Sequence, residues 1–421
     1  MNVNTIKRVI ADQTEELKFP STQKFIVRDL LDYAKSLLDE KIIKVVTGVR
    51  RCGKSTFCHQ LLNGKKYAYL NFDDERLIGL TSEDLDSILE NLLIHTTKPE
   101  YLFFDEIQNV HGWELFVNRL SRQGYNIILT CSNGKMLSRE LATHLTGRHV
   151  QVEMFPFSFN EFLRFKNAEQ FSGNIFSTTQ VSQIKSFLEE YIEFGGFPEV
   201  ENNANKKRYL RDLYDKVILR DIVERYNIRD IALLKELAIL LLNYFSSLFT
   251  YNKLSNSLNA GSVNTIKEFT IYLEDTYLLN YVSKFSFKLK EEIRNPRKVY
   301  CIDTGMISSL GTSLTPNIGR KIENLVFLHE RRKSNKINYF SDGKSEVDFV
   351  ITDERNRLTL IQVAYNISDS ETYRREIDSL VNAAKHLKPQ KILLINEDRE
   401  DIVIIKDIEI NIIPLWKYLT V

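Results

Sequence analysis

Residues 44–56, Lys-Val-Val-Thr-Gly-Val-Arg-Arg-Cys-Gly-Lys-Ser-Thr, constrain the fold of this chain more than any other stretch. From Gly48 to Ser55 they meet the phosphate-loop spacing without a mismatch. A β-branched run breaks into a loop framed by Gly48 and Gly53, so successive N–H groups turn inward beside the positive end of the following helix. A triphosphate is the expected guest. Gly48, Arg51, Cys52, Gly53, Lys54, Ser55 and Thr56 are the expected nucleotide-binding residues, with ATP and Mg²⁺ as ligands. Lys54 would reach the β and γ phosphates, Ser55 would ligate the metal, and Thr56 would close the turn. Ile42, Ile43, Val45 and Val46 read as a buried strand before the loop, and Phe57, Leu61 and Leu62 as the apolar face of the helix after it.

An amphipathic helix is expected over 25–38, ahead of that strand, from the spacing of Ile26, Leu30, Leu31, Ala34, Leu37 and Leu38. Residues 66–72 read as a second strand, 85–93 as a crossover helix, and 101–104 as a strand buried on both faces, which implies a parallel sheet. The last strand runs into Asp105 and Glu106. The carboxyl end of such a strand is where α/β sheets place their chemistry, so Asp105 is the expected Mg²⁺ holder and Glu106 the general base. Residues 126–130 form a further strand ending in Cys131-Ser132-Asn133. Ser132 and Asn133 are candidates for orienting water, although a simple turn explains them equally well. Arg148, ahead of the alternating strand Val150, Val152, Met154, is the candidate arginine finger, in cis or in trans.

Composition bounds the rest. The 421 residues are 43% hydrophobic and 27% charged, enough for two or three domains. Lys plus Arg at 57 against Asp plus Glu at 56 leave nearly no net charge, so any nucleic-acid surface must be local. No stretch is apolar enough to span a membrane and the first twenty residues are charged throughout, so a cytoplasmic location is expected. Cys52, Cys58, Cys131 and Cys301 lack ligand spacing and read as reduced thiols. Cys52 reads as a small residue filling a tight turn; the sharper reading is an oxidisable sensor.

The motifs GVRRCGKST, YLNFDDERL, YLFFDEIQNV, LTCSNGKMLSRELATHLTGR and FPFSFNEFL, in that order, resemble the bacterial and archaeal AAA-superfamily ATPases that carry a C-terminal uncharacterised, nuclease-like domain. YIEFGGFPEV and KVILRDIVERYNIRD extend the likeness over nearly the whole chain. The resemblance implies an ATPase core with Lys54, Ser55, Asp105 and Glu106 in the roles above. It also implies Ser132 and Asn133 as sensor residues and Arg148 as a finger.

The expected fold is α/β: a parallel-sheet P-loop ATPase domain (1–165), a helical lid and linker (166–230), a winged helix (231–304) and a small nuclease-like α/β domain (305–421). Gly195-Gly196 is the expected hinge. The winged helix is read from helices over 233–249, 251–258 and 262–275 and strands over 278–285 and 298–302. Its wing offers Lys284, Lys288, Lys290, Arg294, Arg297 and Lys298; Lys288, Lys290 and Arg294 are the expected DNA contacts. The element order after 318 resembles the PD-(D/E)xK nuclease core. Glu323 and Asp348 match its first two acids, but Gln362 and Ala364 replace the third carboxylate and the lysine, so a degenerate nuclease is expected. The leading expectation is an ATPase whose nucleotide state repositions these modules on DNA. Its rivals are a signalling or scaffolding switch that binds protein partners and a residually active nuclease. A homo-oligomer follows only if Arg148 acts in trans.

Overall fold

The computed structural model of the chain describes residues 1–17, 25–132, 148–168, 176–288, 292, 295–311, 317–333 and 336–420. They fall into two units, Met1–Phe155 with Asp275–Tyr277, and Pro156–Glu274 with Leu278–Val421.

In the first unit, β1 (Ile43–Gly48), β2 (Tyr67–Asn71), β3 (Tyr101–Asp105), β4 (Asn126–Cys131) and β5 (His149–Met154) form a parallel sheet ordered β2-β3-β4-β1-β5. Every residue of β1 and β3 is buried, which is why both read as near-continuous apolar runs. The order sets β4 between the loop strand β1 and the acidic strand β3. Helices α1 (Val3–Glu16), α2 (Leu31–Ser36), α3 (Lys54–Leu61), α4 (Leu85–His95) and α5 (Trp113–Arg122) complete the unit.

The helix expected over 25–38 is a correction: only α2 forms, and Phe25 and Val27 are 49% and 58% exposed. Arg28 explains the difference. Its buried guanidinium donates to the Cys52 carbonyl at 2.9 Å and the Phe155 carbonyl at 2.6 Å, which ties the chain down outside a helix before α2. Residues 3–16, read only as charged, form α1, which buries Ile6, Val9, Ile10 and Gln13 along one face.

The second unit begins with α6 (Phe159–Phe165) and α7 (Thr178–Phe194), each opened by a reciprocal capping box, Ser158 with Glu161 and Ser177 with Gln180. Helix α8 (Lys206–Lys216) continues as a π-helical turn over Val217–Glu224. Next come α9 (Ile231–Asn243), β6 (Ser247–Phe249), α10 (Tyr251–Ser257), α11 (Val263–Asp275), β7 (Leu279–Val282) and β8 (Arg297–Cys301), with an antiparallel sheet ordered β6-β8-β7. The first of these helices stops short of 249 because Ser246, at φ 53, turns the chain out of the helix and donates its N–H to the Val299 carbonyl at 2.7 Å.

Then follow α12 (Thr304–Leu310), α13 (Ile318–Arg332), β9 (Lys336–Ser341), β10 (Glu346–Thr352), β11 (Leu358–Val363), α14 (Ser370–Leu387), β12 (Lys391–Asn396), β13 (Asp401–Ile405), β14 (Ile408–Pro414) and α15 (Leu415–Leu419). Their six strands make a mixed sheet ordered β13-β14-β12-β11-β10-β9. Asp303 ties this unit together. It caps α12 through the N–H groups of Gly305 and Met306 and accepts the Gly196 N–H at 2.7 Å. Gly195 sits at φ 75, where a Cβ would run into that carboxylate, so the expected hinge is gripped at this point.

Candidate nucleotide site

The loop between β1 and α3 needs its glycines. Gly48, at φ 149, passes so close to Met154 that a Cβ would collide with its carbonyl oxygen. Arg51 at φ 68 and Gly53 at φ 96 are both left-handed, the alternation that turns successive N–H groups into one concavity. Cys52 is buried with its Sγ 3.7 Å from the Met154 carbonyl, and burial pushes its thiol up. It fills the turn and is unsuited to sensing by oxidation.

Lys54 Nζ donates to the Gly48 and Val49 carbonyls at 3.2 and 3.3 Å and lies 3.4 Å from Glu106 Oε1. Burial alone would lower its pKa; Glu106, then Cys52 and Asp105, outweigh that and raise it. Glu106 stands at φ 53, a strained setting for a non-glycine residue. Its own N–H is held at 2.9 Å by Thr130 Oγ1, and its Oε2 accepts from Ser132 Oγ at 3.0 Å and from Gln108. Burial would raise Glu106, yet Lys54 and Arg50 draw it below its ordinary value. Asp105 is the opposite case. Burial and the neighbouring Glu106 push its carboxyl up, against hydrogen bonds from Thr130 and Ser55. The Tyr69 hydroxyl adds a further bond to Asp105 at 3.2 Å.

The structure therefore brings Lys54, Ser55, Asp105, Glu106 and Ser132 together at the carboxyl ends of β1, β3 and β4. Asn133 lies outside the described residues. Arg148 is a correction: it is exposed at the start of β5, its carbonyl accepts the Ile43 N–H, and its guanidinium reaches Asn118. That is the amino end of β1. The six residues of β1 separate it from the loop by about 20 Å at roughly 3.3 Å per residue, so it cannot serve this loop in cis.

Residues that the sequence did not single out complete the site. Thr130, Tyr69 and Gln108 orient the acids, and Arg28 braces the loop from behind. Thr130 carried a signal, as the one polar residue inside an apolar strand beside the acidic one. Arg28 carried none. Beside α3 opens a cavity of about 670 Å³ lined by Thr56, His59 and Gln60 from that helix and by Phe25, Val27 and Leu31.

A protein of Methanocaldococcus jannaschii, uncharacterized protein MJ1544, is 36% identical over 435 residues, spanning 98% of this chain and 95% of that protein. The chain belongs to the family of that archaeal protein. An uncharacterized protein of Haemophilus influenzae is 29% identical over 373 residues, 85% of this chain and 89% of that one. Residues 40–163 match the AAA domain, 185–317 a domain of unknown function (DUF8612) and 318–418 a second (DUF4143). The site above thus lies in an AAA-type P-loop domain. Among solved structures, the Walker-type ATPase PABY2304 of Pyrococcus abyssi is similar at a TM-score of 0.45 and 14% identity, over 70% of this chain and 98% of that one. So distant a likeness carries no argument. No helix among the described residues is long and apolar enough to cross a membrane.

In the second unit of this family member, Glu323 and Asp348 come together as expected, but around a cation of the chain itself. Lys298, expected in the wing's basic cluster, is a correction: it is 3% exposed and cannot offer its charge to a phosphate. Its Nζ lies 2.8 Å from Asp348 Oδ1, 2.8 Å from Glu346 Oε1 and 3.2 Å from Glu323 Oε1. Burial alone would lower its pKa; Asp348 and then Glu323 outweigh this and raise it well above the ordinary lysine value. Glu323 is pushed up first by burial and then by Asp348, and accepts from the buried Tyr300 hydroxyl at 2.7 Å. Gln362 is spent internally, accepting the Asp348 N–H at 3.1 Å and donating to Glu376 at 2.7 Å. Ala364 is buried. No set of His, Cys, Asp and Glu among the described residues is arranged to hold a metal ion, and with Lys298 in their midst these acids do not fit one. Of the expected DNA contacts Lys288 is exposed, while Lys290 and Arg294 lie outside the described residues.

Proposed function

We propose that the chain is a Mg²⁺-dependent ATPase whose nucleotide state is passed to its C-terminal modules. The observation that supports it best is the meeting of Lys54 with Glu106 and of Ser55 with Asp105 at one sheet end. Hydroxyl and carboxylate oxygens are the donors a hard cation takes, so Ser55 and Asp105 fit Mg²⁺. When bound, that ion would neutralise charge on the β and γ oxygens. The left-handed loop residues present N–H groups to the phosphates. Lys54 exchanges its contact with Glu106 for one with phosphate oxygen, and the released Glu106 carboxylate accepts a proton from the attacking water, which Ser132 helps to orient. The cavity beside α3, walled by the exposed Phe25 and Val27, has room for the nucleobase.

In this reading 166–230 serve as lid, 231–304 as a winged helix and 305–421 as a nuclease-like module without nuclease activity. The helix and strand order from α9 to β8 supports the winged helix. Ser262, Asn264 and Lys267 are exposed at the amino end of α11, and this supports DNA as the partner. Lys54→Ala tests the core of the proposal: it should abolish ATP binding and turnover in a folded protein. Undiminished turnover would defeat it. A mobility shift whose salt dependence is lost on Lys267→Ala with Lys288→Ala tests the DNA arm, and absence of binding at low salt removes that arm.

A further inference from the structure

The cation at the centre of the second unit's acid cluster belongs to the protein. We propose that the Lys298 ammonium is the resident cation of this site, standing where a nuclease-like fold would hold a divalent metal, and that it closes the site to such metals. The inference is independent of the nucleotide reading, since none of its residues lies in the first unit.

The geometry leaves no room for both. An ammonium has three N–H donors, and Lys298 has three carboxylates within 3.2 Å to receive them. A magnesium ion would need oxygens at about 2.1 Å from one centre, and one oxygen from each of the three acids is already bound to Nζ. Both Asp348 oxygens are engaged, Oδ1 by Nζ and Oδ2 by the Val363 N–H at 3.0 Å. Glu323 Oε1 is shared with Tyr300. Gln362 brings no charge, and both ends of its amide are committed.

Nor can the lysine withdraw easily. Lys298 sits in the middle strand of the β6-β8-β7 sheet, paired with Leu248 on one side and Val282 on the other. Its backbone is fixed, and its side chain is 4% exposed. The positive charge is thus delivered by β8 to acids on α13 and β10. It offsets part of the acids' charge, as a metal would, without an open coordination position.

The test is Mn²⁺ uptake by the full chain without nucleotide, followed through the paramagnetic resonance of free Mn²⁺. Lys298→Met keeps the length of the side chain and removes its charge. It should take up one more Mn²⁺ per chain than the parent protein, at least tenfold tighter than the double variant Lys298→Met with Asp348→Asn. A folded Lys298→Met that gains no Mn²⁺ overturns the proposal. Should Lys298→Met fail to fold, Glu346→Gln decides, because its side chain is nearly half exposed and tolerates the change. Mn²⁺ uptake equal to the parent protein's supports a closed site; uptake reduced by Glu346→Gln shows that metal already binds there and overturns it.

Discussion

Glu106→Gln tests how the nucleotide site is poised. In the structure the Glu106 carboxylate holds Lys54 at 3.4 Å, so phosphate must compete for that lysine. At this separation and an effective dielectric constant of about 20, a full charge pair is worth about 5 kcal/mol. With the glutamine's own hydrogen bond and solvent screening allowed for, about a third of this remains, which is about tenfold in affinity. The variant should therefore bind ATP roughly tenfold more tightly than the parent protein while losing on the order of 10²–10⁴ in turnover, since the proton acceptor is gone. Titration with a fluorescent ATP analogue reads the first effect and phosphate release the second. Weaker binding, or turnover within about threefold of the parent, would refute the reasoning.

Gly48→Ala should destabilise the fold by about 3 kcal/mol and abolish nucleotide binding, because a Cβ there meets the Met154 carbonyl; a urea melt superimposing on the parent's would contradict this. Asp74→Asn gives a pH signature. The side-chain hydrogen bonds of Arg76 hold the Asp74 carboxyl at about 2, below its ordinary 3.8, so its contribution is fully present above that value and is lost as pH falls through 2. The variant should be about 1–2 kcal/mol less stable at pH 7, after solvent screening, and the difference should shrink through pH 2 and be gone only below it. The four cysteines are all buried, and burial raises each thiol whose shift is resolved, Cys52, Cys58 and Cys301. An aromatic disulfide reagent should label none in the native protein and all after denaturation; rapid labelling of Cys52 would revive a sensing role.

The nucleotide site was legible because its chemistry is written in contiguous residues. Gly48 to Ser55 fix a loop, and Asp105 and Glu106 follow the most apolar strand. That the sheet is parallel was legible too, from strands alternating with helices; the order of its strands was not read. The 25–38 helix was misread because apolar spacing says nothing of Arg28, whose buried guanidinium reaches carbonyls far along the chain. Lys298 was misread because a lysine beside Arg297 in a basic stretch looks solvated. Its setting in Lys-Val-Tyr-Cys-Ile, an apolar strand, was the cue to the contrary. The β13–β14 hairpin escaped notice although Lys406 and Asp407 both take positive φ, the two-residue turn that joins antiparallel strands. With lysine at the first place and no glycine at either, Asp407 was the one weak signal of the turn.

Lys298 and its three acids stand on opposite sides of residues 312–316 in sequence, and this constrains how such a protein can be inherited. A recombination event that kept only the upstream piece would leave an ammonium stranded among apolar neighbours; one that kept only the downstream piece would leave three carboxylates repelling one another. On the proposal above, the two pieces belong together, and a lineage that loses the lysine needs positive charge from another source, a bound metal ion included, or sheds the acids.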